Sequence, residues 1–281
     1  GPCEAGRPSE ADRDEFYCFL EKLIAKIREA SEKPGSILII PCGWLRKRSS
    51  EEAVDDVGHC ILLVLHRCRD REEFLMGVVN TGEGLQYHPA SLSRVPPNPE
   101  MPLRQSPLVL TGVNLDRARS SGFWYLLFRQ IVYPDPANGP DAFYGVLMPF
   151  LNEKPLSSNA LEVSPSWLEH LPVPVAGDRS FAISVERSVR FALVLAGMDA
   201  AAASWWSGVG LRWALMACMN EALQLTNVRS PAPAEFALLQ VGISSLARTA
   251  ASMKGHEQRK LELQSFIESL DARALQLEQR H

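Results

Sequence analysis

The sequence predicts an α+β fold: a small sheet with packed helices, followed by an all-α helical module. Three observations predict it. A helical periodicity occupies 12–30, short β-rich apolar runs crowd into 37–79, and from Pro165 onward the apolar pattern is helical. The expected boundaries are an α+β domain over 10–160 and a helical module over 165–281. At 281 residues and 46% apolar composition, the chain has the material for substantial cores, which excludes global disorder. With 29 basic against 33 acidic residues, it lacks the broad positive footprint of a nucleic-acid binder.

The elements follow in chain order. Phe16, Phe19, Leu20, Leu23, Ile24 and Ile27 fall on one stripe of a helix from Asp12 to Ala30, which Pro34-Gly35 ends. Ile37 to Ile40 is a short unbroken apolar run, as expected of a strand covered on both faces. A polar connector from Arg46 to Asp56 leads to a second run, Cys60 to Leu65, and a charged turn leads to a third, Phe74 to Val79. Two such runs joined by a short loop predict a hairpin. Residues 89–107 hold six prolines and read as an extended connection, with a short strand at Leu108–Leu110. A helix is expected from Ser120-Ser121-Gly122 to Val132, broken by Pro134, Pro136 and Pro140 and resumed over Ala142–Leu151. Four further helices are predicted over 184–197, 200–226, 233–253 and 258–279.

No segment reads as membrane-spanning. The longest uncharged run, Ala200 to Leu211, is about half of the ~20 residues a spanning helix needs. No signal peptide is visible, and a start at Gly1-Pro2 without Met is expected of a fragment or a tagged chain. The six cysteines (3, 18, 42, 60, 68 and 218) have no C-x-x-C pair and no His partner at zinc spacing. The expectation is a reduced, cytoplasmic protein with no cofactor and no metal.

One constellation points to chemistry. Gly58-His59 stands at the mouth of the second apolar run, and Asn80-Thr81-Gly82 leaves the third. In a hairpin the start of one strand lies beside the end of the next, ~4.8 Å away, so His59 and Asn80 are expected to be hydrogen-bonded neighbours. A thiol protease needs such a pair: the His takes the thiol proton and the Asn orients the ring. Further along, Ser121-Gly122-Phe123-Trp124-Tyr125 combines small residues, an aromatic and the start of an apolar helix.

These pieces resemble the papain-like cysteine peptidase superfamily in a circularly permuted order. The resemblance covers a strand pattern of roughly 25 residues plus that helix start. It implies a nucleophile at the helix tip, where the N-terminus lowers the thiol pKa and backbone N–H groups hold the oxyanion. Phe123 fills that slot, so the resemblance implies a degenerate member that keeps the fold for binding a protein partner or a peptide or ubiquitin-like substrate. Two alternatives remain open: an active thiol hydrolase using Cys42 with His59 and Asn80, and a non-enzymatic assembly module unrelated to peptidases.

Other candidates are weaker. Cys42, in Pro41-Cys42-Gly43-Trp44, is read as following a strand and lacking a helix tip. Cys18 lies opposite the apolar stripe of its helix, Cys60 reads as a packing residue, Cys68 as a surface residue and Cys218 as helix core. Gly82-Glu83-Gly84 lacks phosphate-loop spacing, and Glu83 with His88 makes two ligands without a third. Asp135 and Asp141 read as turn formers, and Arg46-Lys47-Arg48 as a solvated loop. Leu263, Ile267, Leu270, Ala274 and Leu277 form a heptad seam of about two heptads, suited to helix-mediated association through 258–279.

Overall fold

The computed structural model describes residues 10–47, 57–92, 102–156, 170–171, 179–208, and 261, 264, 265, 267 and 268. The order is α1 (Glu10–Ser31), β1 (Ile37–Arg46), β2 (Val57–Arg67), β3 (Glu73–Val79), a 3-10 turn (Leu85–Tyr87), β4 (Ala90–Leu92), β5 (Pro102–Gln105) and β6 (Leu108–Asn114). Then come α2 (Leu115–Ala118), α3 (Ser121–Val132), α4 (Pro140–Ala142), a π-helix (Phe143–Leu147), α5 (Met148–Asn152), β7 (His170–Leu171) and α6 (Arg179–Leu195). The mixed helix-and-sheet class is as expected.

The main sheet is antiparallel, ordered β1-β2-β3-β6. Ile37 pairs with His66 at one end of β1 and Leu45 with Gly58 at the other, and Leu62 faces Val79 across the β2–β3 hairpin. Side chains alternate between two covered faces. Ile40, Cys42, Trp44, Ile61, Leu63, Leu65, Phe74, Met76 and Val78 point into the larger core, which α1, α3 and the 140–152 segment complete. Leu62, Val64, Val79 and Val109 pack with Phe191 of α6 on the other face. Burial on both faces is why these strands read as unbroken apolar runs rather than as an alternation.

Three expectations are corrected. β1 runs on to Arg46, so Cys42 lies inside a strand, not after it. The proline-rich connection contributes β4 and β5, which pair with each other and, through β5, with β7 in a second small sheet. Helix α6, assigned from sequence to the module beginning at 165, packs on the main sheet; the compact units divide after Ala200.

Within the second unit, residues 201–208 are helical, with Ala203 and Ser207 buried and the Trp205 and Trp206 rings edge to face. Most of the helices expected beyond 208, and the seam positions Leu263, Leu270, Ala274 and Leu277, lie outside the described residues; Ile267 is buried.

Helix α3 runs along β1. Its leading end is fixed by Arg119, whose Nε donates to Ser31 Oγ at 2.8 Å, while Arg67 Nε donates to Ser31 O at 2.9 Å. Its far end is tied by Asn138, whose Nδ2 meets the carbonyls of Leu45 (2.9 Å) and Tyr133 (2.8 Å). The helix therefore opens where β1 begins and closes where β1 ends. Trp124 anchors it, donating from Nε1 to Ala118 O at 2.7 Å within the core.

Leu63 is fully buried at the centre of the sheet. Leu63→Ala is expected to lower the unfolding free energy by about 2–5 kcal/mol. Urea denaturation with an unchanged m-value is the check.

Candidate functional site

His59 is the third residue of β2, and alternation sets it on the inner face with Ile61 and Leu63. Asn80 directly follows β3 and continues the inner series Phe74, Met76, Val78. The hairpin register brings the two side chains together, with His59 Nε2 2.9 Å from Asn80 Oδ1. The expected neighbour pair is formed.

Every hydrogen-bonding position of the Asn80 amide is filled. Its Oδ1 also accepts from Gly82 N at 2.9 Å, and its Nδ2 donates to Glu83 O at 2.6 Å and to Tyr144 Oη at 2.9 Å. Its backbone carbonyl accepts from Ser106 Oγ at 2.7 Å. Because Gly82 N can only donate and Glu83 O can only accept, the amide has one orientation. His59 Nε2 must then donate to Oδ1, which leaves the lone pair of the neutral ring on Nδ1. That atom has no hydrogen-bond partner among the described residues.

Tyr144 carries the network deeper. Its hydroxyl lies 2.9 Å from His88 Nε2, and His88 Nδ1 lies 2.7 Å from Gln105 O. A carbonyl only accepts, so His88 carries its proton on Nδ1 and accepts the Tyr144 hydroxyl proton at Nε2. Burial lowers the His88 pKa to about 4, against a weaker opposing pull from the Gln105 carbonyl. Burial likewise pushes Tyr144 far above the ordinary phenol value. Both groups are neutral relays. Tyr144 reaches this position from the π-helix; such insertions recur at functional sites.

The loop after Asn80 is shaped by close approach. A Cβ on Gly82 would lie 2.4 Å from His59 Cε1, and one on Gly84, at φ 93°, would lie 2.6 Å from the Tyr144 ring. These glycines admit the two rings rather than a phosphate. The Trp44 ring packs 4.9 Å from that of His59, and its Nε1 donates to Glu83 Oε2 at 2.9 Å. Arg46 bonds Glu83 Oε1 at 2.9 Å and Asn138 O at 2.9 Å, so it is a tied residue rather than part of a solvated patch. Glu83 and His88 serve separate partners, and no group of three metal-ligating side chains occurs among the described residues. Asp141 accepts from the Tyr87 hydroxyl, and Asp135 caps its own turn through Ala137 N.

The nucleophile candidates fare differently from the pair. Cys42 pairs with Ile61 while Trp44 pairs with His59, so Cys42 shares the inner face diagonally, roughly 7–8 Å away. It is 2% exposed, and burial, with a smaller contribution from nearby Cys60, holds its thiol well above the ordinary value. Nothing there favours a thiolate. Phe123 is fully buried, edge to face with Trp124 and stacked on Phe150. It sits at the leading end of α3, beside the start of β1, whereas His59 lies beside its end. The 12-residue helix spans roughly 18 Å between those ends. The reading of Phe123 as the lost nucleophile slot facing His59 is corrected: the helix tip, capped by Ser120, points away from the pair. Cys60 is exposed and Cys68 buried, the reverse of expectation, because alternation turns Cys60 away from the inner face. Cys18 is exposed, and Cys218 lies outside the described residues.

Sequence reasoning missed Tyr144 altogether and weighed His88 only with Glu83. No spacing rule links Asn80 to a tyrosine 64 residues away. The available signal was Gly84-Leu85-Gln86-Tyr87-His88, where a histidine closes a glycine-rich loop.

No family model, curated protein or solved structure matches the chain. The site therefore rests on its own geometry. No helix among the described residues is long and apolar enough to cross a membrane.

Two outcomes follow. The unfolded chain protonates His88 near 6.5 and the folded chain only near 4, so acidification through that window favours unfolding by at most about 3 kcal/mol. Stability from urea melts is expected to be full above pH ~6.5 and to fall towards pH 4, with a shallower slope in His88→Gln. Gly82→Ala displaces the His59 ring, and the loss of the Nε2–Asn80 bond is expected in the imidazole 15N spectrum.

Proposed function

We propose that the N-terminal unit is a non-catalytic interaction module that binds a protein or peptide partner inside the cell, and that residues from 201 on form an accompanying helical module. One observation carries this reading: among the described residues, the oriented imidazole–carboxamide pair has no ionisable thiol beside it. Cys42, on the same face, is sealed in the core and disfavoured as a thiolate. Of the other described cysteines, Cys60 turns to the opposite face and Cys68 follows the far end of β2.

The papain-like resemblance keeps its support in the His59–Asn80 hydrogen bond. It loses the helix tip that an oxyanion site requires, since α3 opens at the other end of the sheet. Full pairing of the Asn80 amide gives the pair a structural task, fastening the 80–88 loop to β2 and the π-helix. Free thiols at Cys18, Cys42, Cys60 and Cys68 fit a reducing compartment.

Thiol labelling tests the reading. At pH ~6 an ordinary thiol with pKa near 8.5 is almost entirely protonated, whereas an activated one alkylates quickly. Iodoacetamide at that pH, followed by peptide mass spectrometry, is expected to leave Cys42 unlabelled while the native fold persists. Rapid Cys42 labelling abolished by His59→Ala would overturn the non-catalytic reading and favour a thiol hydrolase built on Cys42, His59 and Asn80.

A further inference from the structure

His88 is buried, and both of its ring nitrogens are engaged. Nδ1 donates to Gln105 O at 2.7 Å, and Nε2 accepts the Tyr144 hydroxyl proton at 2.9 Å. Tyr144 Oη in turn accepts from Asn80 Nδ2 at 2.9 Å. Every bond in this chain has one direction, so an added proton goes to Nε2 and turns it from acceptor into donor. Tyr144 Oη would then face two donors, Nε2 and Asn80 Nδ2, and its own proton would lose its acceptor. The ring cannot carry charge and keep this contact.

Burial is the main force against the charge. The Arg104 guanidinium of β5, which donates to the His88 carbonyl at 2.9 Å, adds to it, while the Gln105 carbonyl opposes it. The remaining ionisable groups around the corner are otherwise occupied. Asp141 of α4 holds the Tyr87 hydroxyl, and Glu83 holds Trp44 Nε1 and Arg46. The Cys42 thiol of β1, close enough to bear on Tyr144, is kept neutral by its burial.

The segment that carries His88 is closed on itself and leans on Tyr144. Leu85 N donates to Gly82 O at 3.3 Å, Tyr87 N to Gly84 O at 3.1 Å and His88 N to Leu85 O at 3.0 Å. The Tyr87 ring stacks on that of Tyr144 at 5.0 Å, and a Cβ on Gly84 would lie 2.6 Å from the same ring. None of these contacts belongs to the β2–β3 ladder, where Leu63 pairs with Val78 and Val64 with Gly77.

We propose that His88 is a proton-operated latch: when its ring takes a proton, residues 82–88 leave Tyr144 while the sheet stays folded. Gly82 N and Glu83 O then withdraw from Asn80. The Asn80 amide loses the two partners that fix its orientation, and the His59 ring loses its single tautomer with it. Acid thus unfastens the imidazole–carboxamide pair without unfolding the unit. The latch needs neither a thiol nor a partner, so it stands apart from the interaction-module reading.

The test is amide hydrogen exchange of the full chain, read by NMR at pH ~7 and pH ~5 and corrected for the intrinsic effect of pH on exchange. A ring that ionises near 6.5 when released and at about 4 in place raises the open fraction about twenty-fold over that interval. The amides of Leu85, Tyr87 and His88 are expected to lose protection by that factor and to exchange ahead of Leu63 and Val64 at both pH values. His88→Gln takes no proton and is expected to remove the change, with Glu83 and Asp141 left in place. Loop amides whose protection does not respond to pH, or which exchange only together with Leu63 and Val64, overturn the latch, and both outcomes are read in the unaltered chain. An equal response in folded His88→Gln overturns it as well, by assigning the effect to the carboxylates.

Discussion

The carboxamide of Asn80 is fully buried, and its oxygen and nitrogen each make two hydrogen bonds. Through them it joins four parts of the chain: β2 at His59, its own loop at Gly82 and Glu83, the π-helix at Tyr144, and through Tyr144 the 3-10 turn ending at His88. A buried amide left short of partners would cost more than its bonds return, so these segments hold or fail together. The same constraint accounts for the glycines at 82 and 84 and for the single tautomer of His59, while burial keeps His88 neutral. Ser106 extends the network by holding the Asn80 carbonyl, which ties the β5–β6 connection to the same point.

The arrangement separates two properties that a thiol enzyme combines. An imidazole is oriented and carries a bare nitrogen, yet the sulfur on its face is packed as a core atom. Cys42 sits where β1 contributes inward side chains to a sealed layer between the sheet and α3. A helix N-terminus that could stabilise a thiolate exists in α3, but the chain direction points it at the opposite end of the sheet.

Much of the frame was legible along the chain. The stripe of α1, the β2–β3 hairpin and the start of α3 follow from apolar spacing and turn residues, which act over a few neighbours. The His59–Asn80 contact was legible for the same reason, since hairpin register is local. The β4–β5 pairing was not, because prolines mask the strand pattern of this stretch. The fate of Cys60 was misread because β2 alternates and sets it on the face opposite His59 and Ile61, and that of Cys68 because it follows β2 in a charged turn whose burial depends on the surrounding packing.

The sequence by itself determined the α+β class, the hairpin and the meeting of an imidazole with an amide across it, since each depends on periodicity and short-range closure. Only the tertiary structure decided what surrounds that pair. Tyr144 and His88 arrive through long-range packing, Cys42 is sealed by layers that no local pattern specifies, and the direction of α3 depends on Arg119 meeting Ser31 at the end of α1 and Asn138 meeting Leu45 of β1. Chemistry at a site depends on such non-local burial and orientation, which a linear pattern of residue types does not encode.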